Sequence, residues 1–128
     1  MLEFSFKSNC SLPAKTPTEY PEILKYSGSL RIVIDNKVYF EDGYFCIYEF
    51  LYYVNKWCKS ANRAMEYICM DTEENPLISF IPCADNEWII SSPWESFTNN
   101  VFFTTEELNN AIIDLKEQLK MQKKIKLI

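Results

Sequence analysis

The sequence predicts one α+β domain over residues 1–128, with an antiparallel sheet of about five to six strands and two helices packed on one face. Three observations lead to this fold class. The length lies in the usual range of a single domain. Several segments alternate apolar and polar residues and are joined by short turns, which is typical of antiparallel strands. Two longer segments carry apolar residues at helical spacing, and one sheet could bury both stripes.

The first strand is predicted at the start of the chain. Leu2, Phe4 and Phe6 alternate with polar residues, which indicates a half-buried strand. Residues 9–28 are rich in Ser, Thr, Lys and Pro, so we expect them to cross the surface as a long connection.

A β-hairpin is predicted from segments 30–34 and 38–40. A three-residue loop would place Ile34 opposite Val38, whereas a two-residue loop would place it opposite Lys37. Because register follows the apolar pattern, we expect the three-residue loop.

Two amphipathic helices are predicted. Asp42 and Gly43 are expected to end the preceding strand, and residues 44–59 then form the first helix. Its buried stripe comprises Ile47, Phe50, Leu51, Val54 and Cys58. Thr104 begins the second helix, and Glu107 completes a capping-box pattern three positions later. The second buried stripe comprises Leu108, Ala111, Ile112, Leu115 and Leu119.

Three further strands are predicted between the helices, at residues 64–70, 77–81 and 87–91. The short turns between them indicate an antiparallel meander. Residues 101–103 form either a short edge strand or a buried lead-in to the second helix.

Charge is distributed unevenly along the chain. The net charge is −5, yet residues 71–119 hold ten acidic residues and one basic residue, a net of −9. This excess disfavours contacts with phosphates and favours a basic protein surface. The alternative is that it serves only to keep the protein soluble. Four lysines follow at positions 120, 123, 124 and 126, where the helix dipole favours cations. Contact of these lysines with anions is the alternative.

The residue inventory argues against an enzyme. The chain has no His, which excludes catalytic triads that need an imidazole and makes a zinc site improbable. The five Cys are expected to be reduced thiols packed as small hydrophobic residues in a reducing compartment. No signal peptide or transmembrane segment is apparent, so we expect a cytoplasmic protein. We also expect neither a cofactor nor a metal.

The most distinctive segment runs from Trp88 to Glu95, where two Trp residues flank a strand end and Pro93. The rings either pack in the core or form an aromatic anchor inside an acidic rim, since Trp is enriched at binding hot spots.

Several segments together resemble the immunity proteins of contact-dependent growth inhibition and related polymorphic toxin systems, over roughly residues 30–120. The segments that carry the resemblance are Val38-Tyr39-Phe40, 47–57, 74–80, Trp88 with 92–94, and 105–108. The resemblance implies a cytoplasmic inhibitor that binds the toxin domain of an effector, often a basic nuclease, by protein–protein interaction.

We therefore expect a toxin-neutralising protein whose partner is a cognate toxin domain, with neither nucleic acid nor membrane as a partner. The expected interface comprises Asp71, Glu73, Glu74, Asp85, Glu87, Trp94 and Glu95. A small-ligand-binding or accessory domain is the alternative, because the aromatic content is high enough to line a pocket.

Overall fold

The computed structural model describes residues 1–59, 63–70 and 72–125, and side chains up to residue 123. It is α+β, with seven strands in two antiparallel sheets and two helices among these residues. The first sheet has the order β1-β2-β3, with β1 at Leu2–Ser8, β2 at Ser27–Ile34 and β3 at Lys37–Cys46. The second has the order β4-β5-β6-β7, with β4 at Met65–Tyr67, β5 at Ile78–Pro82, β6 at Glu87–Ser91 and β7 at Phe103–Thr104. The helices are α1 at Ile47–Cys58 and α2 at Thr105–Ile125, and a short 3-10 helix lies at Glu22–Leu24.

The expected single sheet of five to six strands is wrong. Short turns specify pairing only between strands that follow one another directly, and α1 stands between β3 and β4. The three strands before α1 therefore pair with one another, and the four strands after it pair with one another. Side chains from both sheets and both helices meet in one buried apolar cluster, with Phe4, Phe50 and Phe80 among its fully buried members.

The hairpin between β2 and β3 has the two-residue turn rather than the expected three-residue loop. Ile34 pairs with Lys37, and the register shifts between Ile32 and Val33. The turn residues Asp35 and Asn36 have φ values of 49° and 68°. Asp and Asn tolerate this left-handed region better than most residues, so the tight turn forms without Gly.

The first helix begins three residues later than expected, because β3 continues through Asp42 and Gly43 to Cys46. The extra residues pair with the start of β2, where Phe45 lies opposite Gly28. Helical spacing in the sequence therefore extends further back than the helix, and long-range pairing decides where the helix starts.

Most of the expected buried stripe of α1 is confirmed, but at its C-terminal end Trp57 is buried in place of Cys58. Ile47, Phe50, Leu51 and Val54 are buried, whereas Cys58 is exposed. Three other α1 residues that the stripe did not include are also buried, namely Tyr48, Glu49 and Trp57.

The second helix begins as predicted. The Glu107 N–H donates to Thr104 Oγ1 and the Thr104 N–H donates to Glu107 Oε1, both at 3.1 Å, which completes the capping box. The whole expected stripe of α2 is buried.

Two Gln side chains of α2 cover the free edge of β1. Gln118 accepts from the Phe6 N–H at 2.9 Å and donates to the Phe4 carbonyl at 2.7 Å. Gln122 makes the same pair of hydrogen bonds two residues further along β1. It accepts from the Ser8 N–H at 2.8 Å and donates to the Phe6 carbonyl at 2.7 Å. These amides satisfy backbone groups that an uncovered edge would offer to another strand. In the part of the chain that is described, neither helix has the length and apolar character needed to cross a bilayer.

Candidate functional site

The expected acidic interface is divided between the two ends of the second sheet. Glu73 and Glu74 are exposed in the turn before β5, at the end where β6 finishes and leads to Trp94 and Glu95. Asp71 lies outside the described residues. The structure therefore groups four of the predicted residues at this end.

Asp85 and Glu87 lie at the opposite end of the same sheet. Asp85 is exposed in the β5–β6 turn, and half-buried Glu87 begins β6 opposite Thr104. The length of β5 separates this end from Glu73 and Glu74 by roughly 13 Å, at about 3.3 Å per residue. The six of these residues that the structure describes thus do not form one continuous patch around a single centre.

Trp88 and Trp94 both take part in packing. Trp88 is buried, and its indole N–H donates to Thr105 Oγ1 at 2.8 Å. Trp94 is half-buried and stacks on Phe40, with ring centroids 6.1 Å apart and planes inclined by 10°. One face of the Trp94 ring is therefore occupied within the fold, which favours the packing interpretation.

The solvent-facing side of the second sheet, called the outer face below, carries an apolar row that the sequence reading did not identify. Ile81 lies directly opposite Ile89, and on the other side of β6 Phe102 directly precedes β7, whose Phe103 pairs with Trp88. Ile81 is 40% exposed, Phe102 is 54% exposed and Ile89 is half-buried. The signal was present in the sequence as Ile-rich strands, but the outward direction of these side chains depends on which face the core covers.

Acidic residues lie around this apolar row. Glu66 is exposed on β4, and its pairing with Ser79 places it on the outer face. Glu87 occupies the same face of β6, two residues before Ile89. The first turn of α2 is close as well, because its Thr105 N–H donates to Asn86 Oδ1 in the β5–β6 turn at 3.3 Å. The outer face therefore combines apolar contacts with carboxylates at its border.

A concave feature, called the lysine groove below, lies between α1, α2 and residues 16–18 and has a volume of about 500 Å³. Its apolar wall is formed by Pro17, Tyr48, Leu51, Tyr52 and Leu119. Its lysines are Lys56 and Lys59 at the end of α1 and Lys116, Lys120 and Lys123 on α2. The sequence analysis explained the C-terminal lysines by the helix dipole, with contact to anions as the alternative. The spacing within each helix places its lysines on one side, but only the fold brings the two sides together.

A buried carboxylate lies on the other side of α1. Glu49 is fully buried, and its oxygens accept hydrogen bonds from Tyr67 Oη at 2.7 Å and from Tyr20 Oη at 3.1 Å. Burial raises the pKa of Tyr67, and the neighbouring Cys69 and Glu49 add to the effect. Burial and the Glu49 charge also raise the pKa of Tyr20. Both hydroxyls thus stay protonated and available as donors.

This arrangement joins three parts of the fold. Tyr20 belongs to the long connection, Glu49 to α1 and Tyr67 to β4. Among the residues that the structure covers, no cation pairs with Glu49, and no three Cys, Asp or Glu side chains are grouped so that they could hold a metal ion. We therefore interpret the Glu49 cluster as a structural link.

The comparison with protein families places the chain in one of them. Residues 2–124 match the family described as Domain of unknown function (DUF7878). The chain belongs to this family. The match covers the two sheets, the outer face and the residues of the lysine groove. No curated protein and no solved structure matches the chain significantly.

Proposed function

We propose that this DUF7878 protein is a non-catalytic, cytoplasmic binding protein that neutralises a basic toxin domain by covering it with the outer face. The observation that carries the proposal is the row formed by Ile81, Ile89 and Phe102 with carboxylates at its border. Apolar contacts at the centre and polar groups at the rim are the usual composition of a protein interface. An acidic rim favours a partner whose own rim is rich in Lys and Arg.

The charge distribution supports a protein partner over a nucleic acid. Carboxylates next to the row would repel phosphates, whereas they would accelerate encounter with a basic domain. The resemblance to immunity proteins supplies the further step from a basic domain to a toxin. Glu106 in the first turn of α2 and Asp85 in the adjacent β5–β6 turn add two further carboxylates near this border.

The first experiment is co-purification of the tagged protein with the product of the neighbouring gene, expressed together in the native host. We expect a basic domain at near-equal stoichiometry, with its toxicity suppressed while the complex persists. Recovery of the protein alone, with the candidate toxin demonstrably present, would contradict the proposal.

Surface variants then test the outer face itself. Ile81→Asn with Phe102→Ser removes two exposed apolar side chains and should weaken binding by roughly 30-fold or more, the size of a hot-spot loss. Tyr44→Ser is the matched control, since Tyr44 is 81% exposed on the first sheet. Equal affinity of the double variant and the control would remove the outer face as the interface.

Charge reversal distinguishes the two ends of the sheet. Two double variants are compared: Asp85→Lys with Glu87→Lys, and Glu73→Lys with Glu74→Lys. Both change the net charge by the same amount. The first pair borders the outer face, so it should slow association by about tenfold at low salt, and the second pair should slow it less. The opposite order would move the interface to the end that carries Glu73 and Glu74.

A further inference from the structure

The lysine groove has the dimensions and lining of a small-ligand site. Its volume of about 500 Å³ falls within the range of about 300–1,000 Å³ that is usual for such sites. Two helices and residues 16–18 bound it, and Lys123 Nζ lies 3.1 Å from Thr16 Oγ1 across one side. This volume favours a compact molecule over an extended peptide.

The lysines of the groove are largely uncompensated by carboxylates. No Asp or Glu is among the described residues that line it. Lys116 Nζ donates to the neutral Asn55 Oδ1 at 2.9 Å, and Lys56 Nζ lies 4.4 Å from the centre of the Tyr52 ring. Only Lys120 has a carboxylate partner in the described part, Glu117 at 3.3 Å in an exposed pair. An occupant that carries several negative charges would fit this environment.

The apolar wall determines the other half of the occupant. Leu51 and Leu119 are already buried in the core, so the apolar surface left accessible between the lysines comes from the half-buried Pro17 and Tyr52. A bare inorganic anion would leave this wall in contact with water. An anion attached to an apolar or aromatic body would bury it, which adds free energy in proportion to the area removed from water.

We propose that the lysine groove binds a small organic polyanion, with its phosphate or carboxylate groups on the lysines and its apolar body on Pro17 and Tyr52. The preset positions of Lys116 and Lys123 reduce the ordering that binding requires, because neutral side chains already hold both ammonium groups. This site lies away from the outer face, so it is independent of the proposed toxin interface.

Isothermal titration of the full chain at low salt tests the site with three probes: ATP, inorganic triphosphate and adenosine. ATP combines both halves of the ligand and should bind saturably at one site. Triphosphate and adenosine should each bind at least about tenfold more weakly. Absence of saturable ATP binding, or equal affinity for ATP and triphosphate, would overturn the proposal.

Variants locate the binding. Lys56→Gln with Lys116→Gln removes one positive charge from each helix and should weaken ATP binding by at least about tenfold. Lys7→Gln with Lys37→Gln is the matched control, because it removes the same charge from exposed positions outside the groove. Equal weakening by both pairs would show a net-charge effect and overturn the site. Tighter binding of a hexaglutamate peptide than of ATP would assign the groove to an acidic protein segment and overturn the small-ligand class.

Discussion

Replacement of Tyr67 by Phe tests whether the Glu49 cluster holds the fold together. The substitution keeps the ring, which contacts Phe45 and Phe50 at centroid distances of 5.5 Å, and removes only the hydroxyl. That hydroxyl donates to Glu49 at 2.7 Å, with both residues fully buried. The loss should be close to that of a hydrogen bond to a charged group, about 2 kcal/mol, because water cannot replace the donor easily.

Tyr20→Phe provides the comparison within the same cluster. Tyr20 donates to the second Glu49 oxygen at 3.1 Å, but the residue is 40% exposed. Water can therefore take over part of its role, and the cost should be about 1 kcal/mol or less. Tyr44→Phe, at an exposed position, sets the baseline near zero.

Urea unfolding followed by far-ultraviolet circular dichroism measures these differences. With a slope of about 2 kcal/mol per molar urea, Tyr67→Phe should lower the midpoint by about 1 M and leave the slope unchanged. A loss for Tyr20→Phe equal to that for Tyr67→Phe would refute the reasoning from burial. A loss for Tyr67→Phe within roughly 0.5 kcal/mol of the baseline would show that Glu49 does not depend on this donor.

Two further predictions concern close packing and alkaline pH. Gly28→Ala should lower the free energy of unfolding in urea by about 3 kcal/mol or more, because the new Cβ would lie 2.2 Å from the Lys7 carbonyl oxygen. A Cβ at Gly43 meets nothing within 4 Å, so Gly43→Ala should change the free energy of unfolding by less than about 1 kcal/mol. Similar losses for the two would contradict the contact argument. Burial raises the pKa of Tyr48 to about 12 and also raises that of Tyr39 and Tyr67. The native state thus keeps protons that the unfolded chain loses above pH of about 10, so the stabilisation is complete below that pH. The free energy of unfolding should then fall by up to about 1.4 kcal/mol per pH unit for each such tyrosine. Urea midpoints that agree at pH 9 and pH 11 would exclude this linkage.

Elements whose signals lie within one or two turns of chain were predictable. The capping box at Thr104 and Glu107, the buried stripe of α2 and the alternation of β1 all appear where the sequence placed them. Each depends on residues a few positions apart, whose geometry repeats wherever that helix or strand forms.

Predictions that required a choice between local alternatives were less successful. The apolar pattern favoured a three-residue loop after Ile34, but the left-handed conformations of Asp35 and Asn36 close a two-residue turn, and a shift in register restores the apolar match at Ile32 and Phe40. Local spacing likewise extended α1 back to Tyr44, where pairing with β2 prevails.

The α+β class, the second helix with its cap and the uneven charge follow from the order of residues in the chain. Three features depend on the folded chain: the strands form two sheets, Glu73 and Asp85 lie at opposite ends of one of them, and Lys56 and Lys116 line the same groove. The difference lies in the range of the interactions. Periodicity and capping act between neighbours in the chain, whereas the burial of a common apolar core brings together segments about sixty residues apart. The spacing of residues within one segment does not indicate which distant segment it will contact.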